Sequence, residues 1–188
     1  MNNLYTTLIL CFLISCSTKE KVINEQKTED KNVNLYAFVG KKIAVNYFNP
    51  NDELANDEVI DSITGEKVLR KTIALDLGFR CKYIVLKNVF NNLEKDTIEF
   101  VAYDHYGRPN FENSEYVLLY LSKSTKGNHF FHQKYQYDHL EKNYDGEFFG
   151  YSYTIKRRGE KTFFKKKRKA SLEELFSKKK NEVFTNLF

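Results

Sequence analysis

The sequence predicts a mainly β protein, an antiparallel barrel or sandwich with a C-terminal amphipathic helix. Three observations predict it. Short apolar runs of period two recur from Leu35 to Ile155, and turn-forming residues punctuate every gap between them. Aromatic residues, Tyr and Phe with no Trp, make up 15% of the chain, a composition that suits pleated surfaces. No long helical pattern separates the runs, which argues against alternating βαβ units.

The first fifteen residues stand apart from that domain. Leu4 to Ile14 is an uncharged, mostly apolar run of eleven residues, shorter than the about 20 needed to span a membrane. Its length suits the apolar core of a secretory signal. The run ends Leu13-Ile14-Ser15-Cys16 and then turns polar at "STKEK". This resembles the lipobox of bacterial lipoproteins, which implies cleavage before Cys16 and lipidation of its thiol. "MNN" supplies no Lys or Arg, and the alternatives are a plain secretory signal or a buried first strand. Residues 17–34 mix Lys, Glu and Asp with few aliphatics, so they read as a tether reaching roughly 20–25 Å as a flexible coil. The expected organisation is a signal at 1–15, the lipidated cysteine and tether at 16–34, and one β-rich domain at 35–188.

Within that domain each element has its own signal. "KKIAVNYF" is the first clear alternation. "FRCKYIVLKNVF" sets Phe79, Cys81, Tyr83 and Val85 against Arg80, Lys82 and Ile84. "DTIEFVAYDH" alternates Ile98, Phe100 and Ala102 against Glu99, Val101 and Tyr103. "YVLLYLS" is continuously apolar, as expected of a strand buried on both faces. "HFFHQKYQYDHL" and "FFGYSYTIK" are joined across "NYDGE", where Asp-Gly signals a hairpin. With Cys11 in the signal and Cys16 lipidated, Cys81 stands alone, so no disulfide framework is expected. Its alternating context predicts a small buried hydrophobe. "NDELANDEVID" lacks calcium-loop spacing and a central glycine, and reads as a solvated loop.

Residues 79–121, strand, polar excursion, strand, long loop and apolar strand, resemble the core of netrin-like modules, although the disulfides usual in those modules are missing. The resemblance implies a five-stranded OB-like barrel and carries no function with it. At the C-terminal end, Ser171 with Glu174 three residues on forms a capping box. Leu172, Leu175, Phe176, Val183 and Leu187 then follow helical spacing over about 172–186. That apolar face is expected to dock on the barrel, or alternatively on a membrane or partner.

Charge is uneven. Lys156 to Phe188 carries twelve Lys and Arg against four Glu, a net of +8, leaving −3 for the rest of a chain whose total is +5. The densest run is Lys165, Lys166, Lys167, Arg168 and Lys169. It is either a solvated strand edge or loop, or a surface for anionic lipid or an acidic protein partner. Nucleic acid is not expected to meet an exported protein.

Motifs for catalysis are missing: no HExxH, CxxC, GxSxG, Walker loop or GxGxxG occurs. Histidine gives the one candidate for metal chemistry, with Asp104 and His105 at one strand end and His129 and His132 at the start of another. His129 and His132 are spaced to opposite faces of a regular strand, so a bulge at Phe130-Phe131 would be needed to join them. The expected function is therefore a membrane-anchored, non-enzymatic cell-envelope binding or structural module without a cofactor. Ser17, where an aspartate often signals inner-membrane retention, favours the outer membrane. The alternatives are a small metal-dependent enzyme on Asp104, His105, His129 and His132, or an immunity or inhibitor lipoprotein.

Overall fold

The computed structural model describes residues 29–54, 56–158 and 162–188. The lipobox-like segment with Cys16 and the expected tether as far as residue 28 lie outside the described residues. The described strands are β1 (Tyr36–Phe48), β2 (Asn56–Ile60), β3 (Lys67–Lys71), β4 (Leu77–Phe90), β5 (Thr97–Asp104), β6 (Tyr116–Lys123), β7 (Phe130–Lys142), β8 (Phe148–Arg158) and β9 (Thr162–Ala170). One α-helix among the described residues, α1 (Leu172–Glu182), follows them.

The main sheet runs in the order β5-β4-β1-β6-β7-β8-β9. Its first five strands curl until β7 meets β5 in a short parallel contact, Phe100 opposite Phe130 and Val101 opposite Phe131. The other pairings in that ring are antiparallel. Of the two predicted architectures, the ring is the OB-like barrel, five strands with a Greek-key crossover and a partial opening. β8 and β9 continue the sheet past the ring as an antiparallel hairpin. The turn feeding that hairpin is the one Asp145-Gly146 predicts. Gly146 takes φ +87°, a conformation glycine adopts without cost.

Two cores share the strands β1 and β6. Inside the ring lie Phe38, Phe79, Cys81, Tyr83, Phe100, Val117, Leu119 and Leu121, with Phe111 inserted as a plug from the short 3-10 helix Asn110–Asn113. Outside it, Ala37, Val39, Leu118, Tyr120 and Phe90 pack beneath Leu172, Leu175, Phe176 and Phe184. The alternating sides of β1 and β6 thus both face apolar material, which is why "YVLLYLS" has no polar phase. Cys81 lies in the inner core, where burial pushes its thiol up to about 12, an inert group as expected.

Three boundaries differ from the sequence reading. Val33 and Leu35 are both in the outer core, so the body begins before residue 35. Asn91 holds that entry: its Oδ1 accepts the Asp30 N–H at 2.8 Å and its Nδ2 reaches the carbonyls of Asp30, Val33 and Leu35 at 3.0, 3.0 and 2.8 Å. The acidic stretch is not all loop, because Asn56–Ile60 pairs with Lys67–Lys71 as a separate hairpin. This arm leaves Ile60, Ile63 and Leu69 exposed, Ile63 at 92%. Helix α1 starts where Ser171 caps it, its Oγ accepting Glu174 N–H at 3.2 Å, but stops at Glu182. Val183 and Leu187 are more than two-fifths exposed, and Phe184 turns in instead to meet the Tyr120 ring at 5.5 Å. The basic run is the edge strand β9, the strand-edge form of the two expected of it.

Helix α1 docks where side chains are small. Gly150 of β8 lies under Leu175, and a Cβ there would sit 2.7 Å from Leu175 Cδ1 and 3.0 Å from the His139 carbonyl. No described helix is long and apolar enough to cross a membrane.

Candidate functional site

A cleft at one end of the ring brings a carboxylate, a buried imidazole and several tyrosines together. Two irregular segments build it. The first is the connection that leaves β5. Asp104 Oδ1 accepts the Tyr106 N–H at 2.8 Å, a local turn that short carboxylates favour. Arg108 then forks onto Glu112, Nε to Oε1 at 2.6 Å and a terminal nitrogen to Oε2 at 2.8 Å, and also donates to the Val45 carbonyl at 2.8 Å. These bonds lash the connection to β1 and hold Glu112 below the usual carboxylate range. Phe111, inserted just beyond, forms the inner wall.

The second segment is a bulge in β7. Leu119 of β6 pairs with Tyr137, but Leu121 pairs with His132. One residue of β6 therefore faces four of β7, and Gln133 to Gln136 must leave the ladder. His132 closes the base of the loop, its Nε2 lying 2.8 Å from the Gln136 carbonyl oxygen. Tyr135 takes φ +64°, uncommon for a residue with a Cβ. Its ring is aimed at Tyr106, 6.2 Å away. Lys134 reaches Asp76 Oδ2 at 2.6 Å, and its ammonium also lies over the Tyr135 ring, 5.3 Å from the ring centre.

Between the segments lies a cavity of about 110 Å³ lined by Tyr103, Asp104, Pro109, Asn110, Phe111, His132, Tyr135 and Tyr137. It adjoins a recess of about 210 Å³ formed by Asp104, Tyr106, Arg108, Asn110 and Tyr135. His132 is 6% exposed, packed 4.7 Å from the Phe111 ring. Burial lowers its pKa to about 4, because a charged imidazole would lose its hydration there, so it is neutral near pH 7.

The four proposed metal ligands do not meet. Asp104 and His132 line one cavity. His105 turns outward to Asp76, Nδ1 to Oδ1 at 3.4 Å. His129 lines a different groove of about 770 Å³, with Tyr36, Lys82 and Phe130. The parallel register explains the separation. Since Phe130 pairs with Phe100, His129 lies beside Glu99, five residues before Asp104, or about 16 Å along a strand. The bulge falls after His132 rather than at Phe130-Phe131. Among the described residues no group of three His, Cys, Asp or Glu side chains is placed to hold a metal.

The basic run divides between two faces of β9. Lys167 lies over the Tyr151 ring at 3.5 Å and Lys169 over the Phe149 ring at 4.2 Å. Register puts Lys165 opposite Ile155 and Lys166 opposite Thr154, and Lys166 is exposed. Arg168 lies on the α1 side of the strand and forks onto Glu174 at 3.0 and 2.9 Å, which pairs its charge. The edge hairpin thus presents an exposed stripe in which aromatic rings carry ammonium groups.

Tyr135, Tyr106 and Asn110 were not singled out from sequence. His132 and Tyr137 both face the inner core, yet one is even-numbered and the other odd. No regular strand does that, so a phase slip within "QKYQ" is required.

No family model, curated protein or solved structure matches this chain.

Proposed function

We propose that this chain is a lipid-anchored cell-envelope protein, held through Cys16 and facing the outer membrane, whose OB-like barrel is a non-enzymatic binding module. The observation that carries the reading is the stripe on the edge hairpin, with Lys167 and Lys169 over Tyr151 and Phe149. Rings topped by ammonium groups suit the headgroup zone of an anionic bilayer, where each basic residue contributes about 1 kcal/mol. A chain beginning with a lipobox-like segment and a short polar tether would hold that stripe near a membrane. The two features support each other.

Membrane fractionation at two salt concentrations tests both parts. The parent should sediment with membranes throughout. Cys16→Ala should sediment only at low salt, because at about 0.15 M the field of the stripe reaches only roughly 8 Å. Adding Lys167→Gln and Lys169→Gln to Cys16→Ala should make the protein soluble at both. Retention of Cys16→Ala in membranes at the higher salt would sink the anchor. If the triple variant sediments like Cys16→Ala, the stripe is only a solubilising surface.

A further inference from the structure

The geometry points to a second binding site, for a small primary ammonium ligand, in the cleft between Asp104, His132 and Tyr135. This does not depend on the lipid anchor or on the basic stripe.

The hydrogen-bonding roles are determined by chemistry. A backbone carbonyl only accepts, so the His132 nitrogen facing Gln136 carries the proton. Its other nitrogen, Nδ1, is then an acceptor, and it has no hydrogen-bond partner among the described residues. It belongs to a side chain more than nine-tenths buried that lines the cavity. Asp104 supplies the second acceptor. One carboxylate oxygen takes the Tyr106 N–H, which leaves the other without a bond among the described residues. Both groups want donors.

Charge points the same way. Arg108 is committed to Glu112 and to the Val45 carbonyl, and Lys134 is committed to Asp76, which His105 also approaches. Asp104 alone among the charged groups around the cleft lacks an ion-pair partner among the described residues. The cleft therefore holds one unmatched negative charge and two unused acceptors, framed by the rings of Tyr103, Tyr135 and Tyr137. An anion would meet Asp104 with no free cation to offset it. An alcohol would satisfy one acceptor and leave the charge. A primary ammonium has three donors for Asp104 and His132 Nδ1, and its charge is attracted to the rings of Tyr103 and Tyr137, the Tyr135 ring already meeting Lys134. The cavity of about 110 Å³ takes such a headgroup, and the adjoining recess takes a short alkyl tail. Tyr135, whose backbone is left-handed, lines both the cavity and the adjoining recess.

The probe is n-butylammonium, titrated against isotope-labelled protein at pH 7.5 with 1-butanol and butyrate as matched controls. Saturable shifts at His132 and Tyr135 are expected with a Kd in the range of about 1 to 10 mM, and both controls should bind at least about tenfold more weakly. Asp104→Asn keeps an oxygen for the Tyr106 N–H while removing the charge, and should weaken butylammonium at least about tenfold. Tyr135→Gly relieves the positive φ, so the protein should be no less stable, yet binding should fall. Equal binding of butanol and butylammonium would overturn the ammonium assignment. So would undiminished binding to Asp104→Asn, or no saturation by about 100 mM.

Discussion

The inner and outer cores are built from the same two strands and held in opposite ways. Phe38, Val117, Leu119 and Leu121 point into a ring whose walls are hydrogen-bonded ladders. Ala37, Val39, Leu118 and Tyr120, one residue out of phase, point at material brought from both ends of the described chain: Val33 and Leu35 from one, Leu172, Leu175, Phe176 and Phe184 from the other. The inner core needs only the ring and the connections between its strands. The outer core needs the ring and the chain ends together. A barrel strand buried on both faces therefore makes α1 part of the fold rather than an appendage.

The largest test of that contrast removes one aromatic from each side. Phe111→Ala and Phe176→Ala should each cost about 3–5 kcal/mol in urea unfolding. Phe111 packs with Tyr83, Phe100, His132 and Tyr137, whereas Phe176 stacks on Phe90 at 4.9 Å. Without shared partners, the double variant should be additive within about 0.5 kcal/mol. Coupling well above that would show that the two cores move as one.

Acid should affect the two faces of β7 with opposite sign. His132, on the inner side, has its pKa lowered by burial to about 4 from 6.5. The unfolded chain therefore binds its proton first, and stability present above pH 6.5 is lost as pH falls to 4, by about 3 kcal/mol. Asp138 bonds to the Tyr120 hydroxyl on the outer side at 2.9 Å, and burial raises its pKa above 3.8. Protonation of Asp138 relieves the fold, so its contribution improves as pH falls through the raised value. Urea midpoints from pH 7 to 4 should fall in the parent and fall less in His132→Leu. Equal slopes would remove His132 as the cause.

The smallest expected effect is confined to the outer core. Ser171→Ala removes the cap on Glu174 N–H and should cost about 1 kcal/mol. Hydrogen exchange should quicken in α1 and not in β4 or β5. A uniform increase would mean that the helix and ring open together.

What could be read beforehand was what local chemistry decides. "YVLLYLS" announced two-sided burial, Asp145-Gly146 announced a turn, and Ser171 with Glu174 announced a helix start. The helix end was not legible, because Val183 and Leu187 keep the apolar period while Phe184 is drawn to Tyr120. Val33 looked like one aliphatic in a polar run, and its burial depends on Asn91, 58 positions away. In the cleft, Asp104 and His132 were named but given the wrong companions. The parallel meeting of β5 and β7 carries His129 away, and nothing local to Tyr135 foretold its backbone.

Asn91 also determines how the protein would bear a load. Its side chain gathers three carbonyls and one N–H from residues 30–35 into a single knot. Tension applied to the chain before Asp30 reaches this knot first, then the bonds that Asn34 makes with Lys123, and only afterwards the ladders of β1. The barrel is hung from the turn between β4 and β5, so a pull would be spent on a replaceable fastening while the strands stay paired.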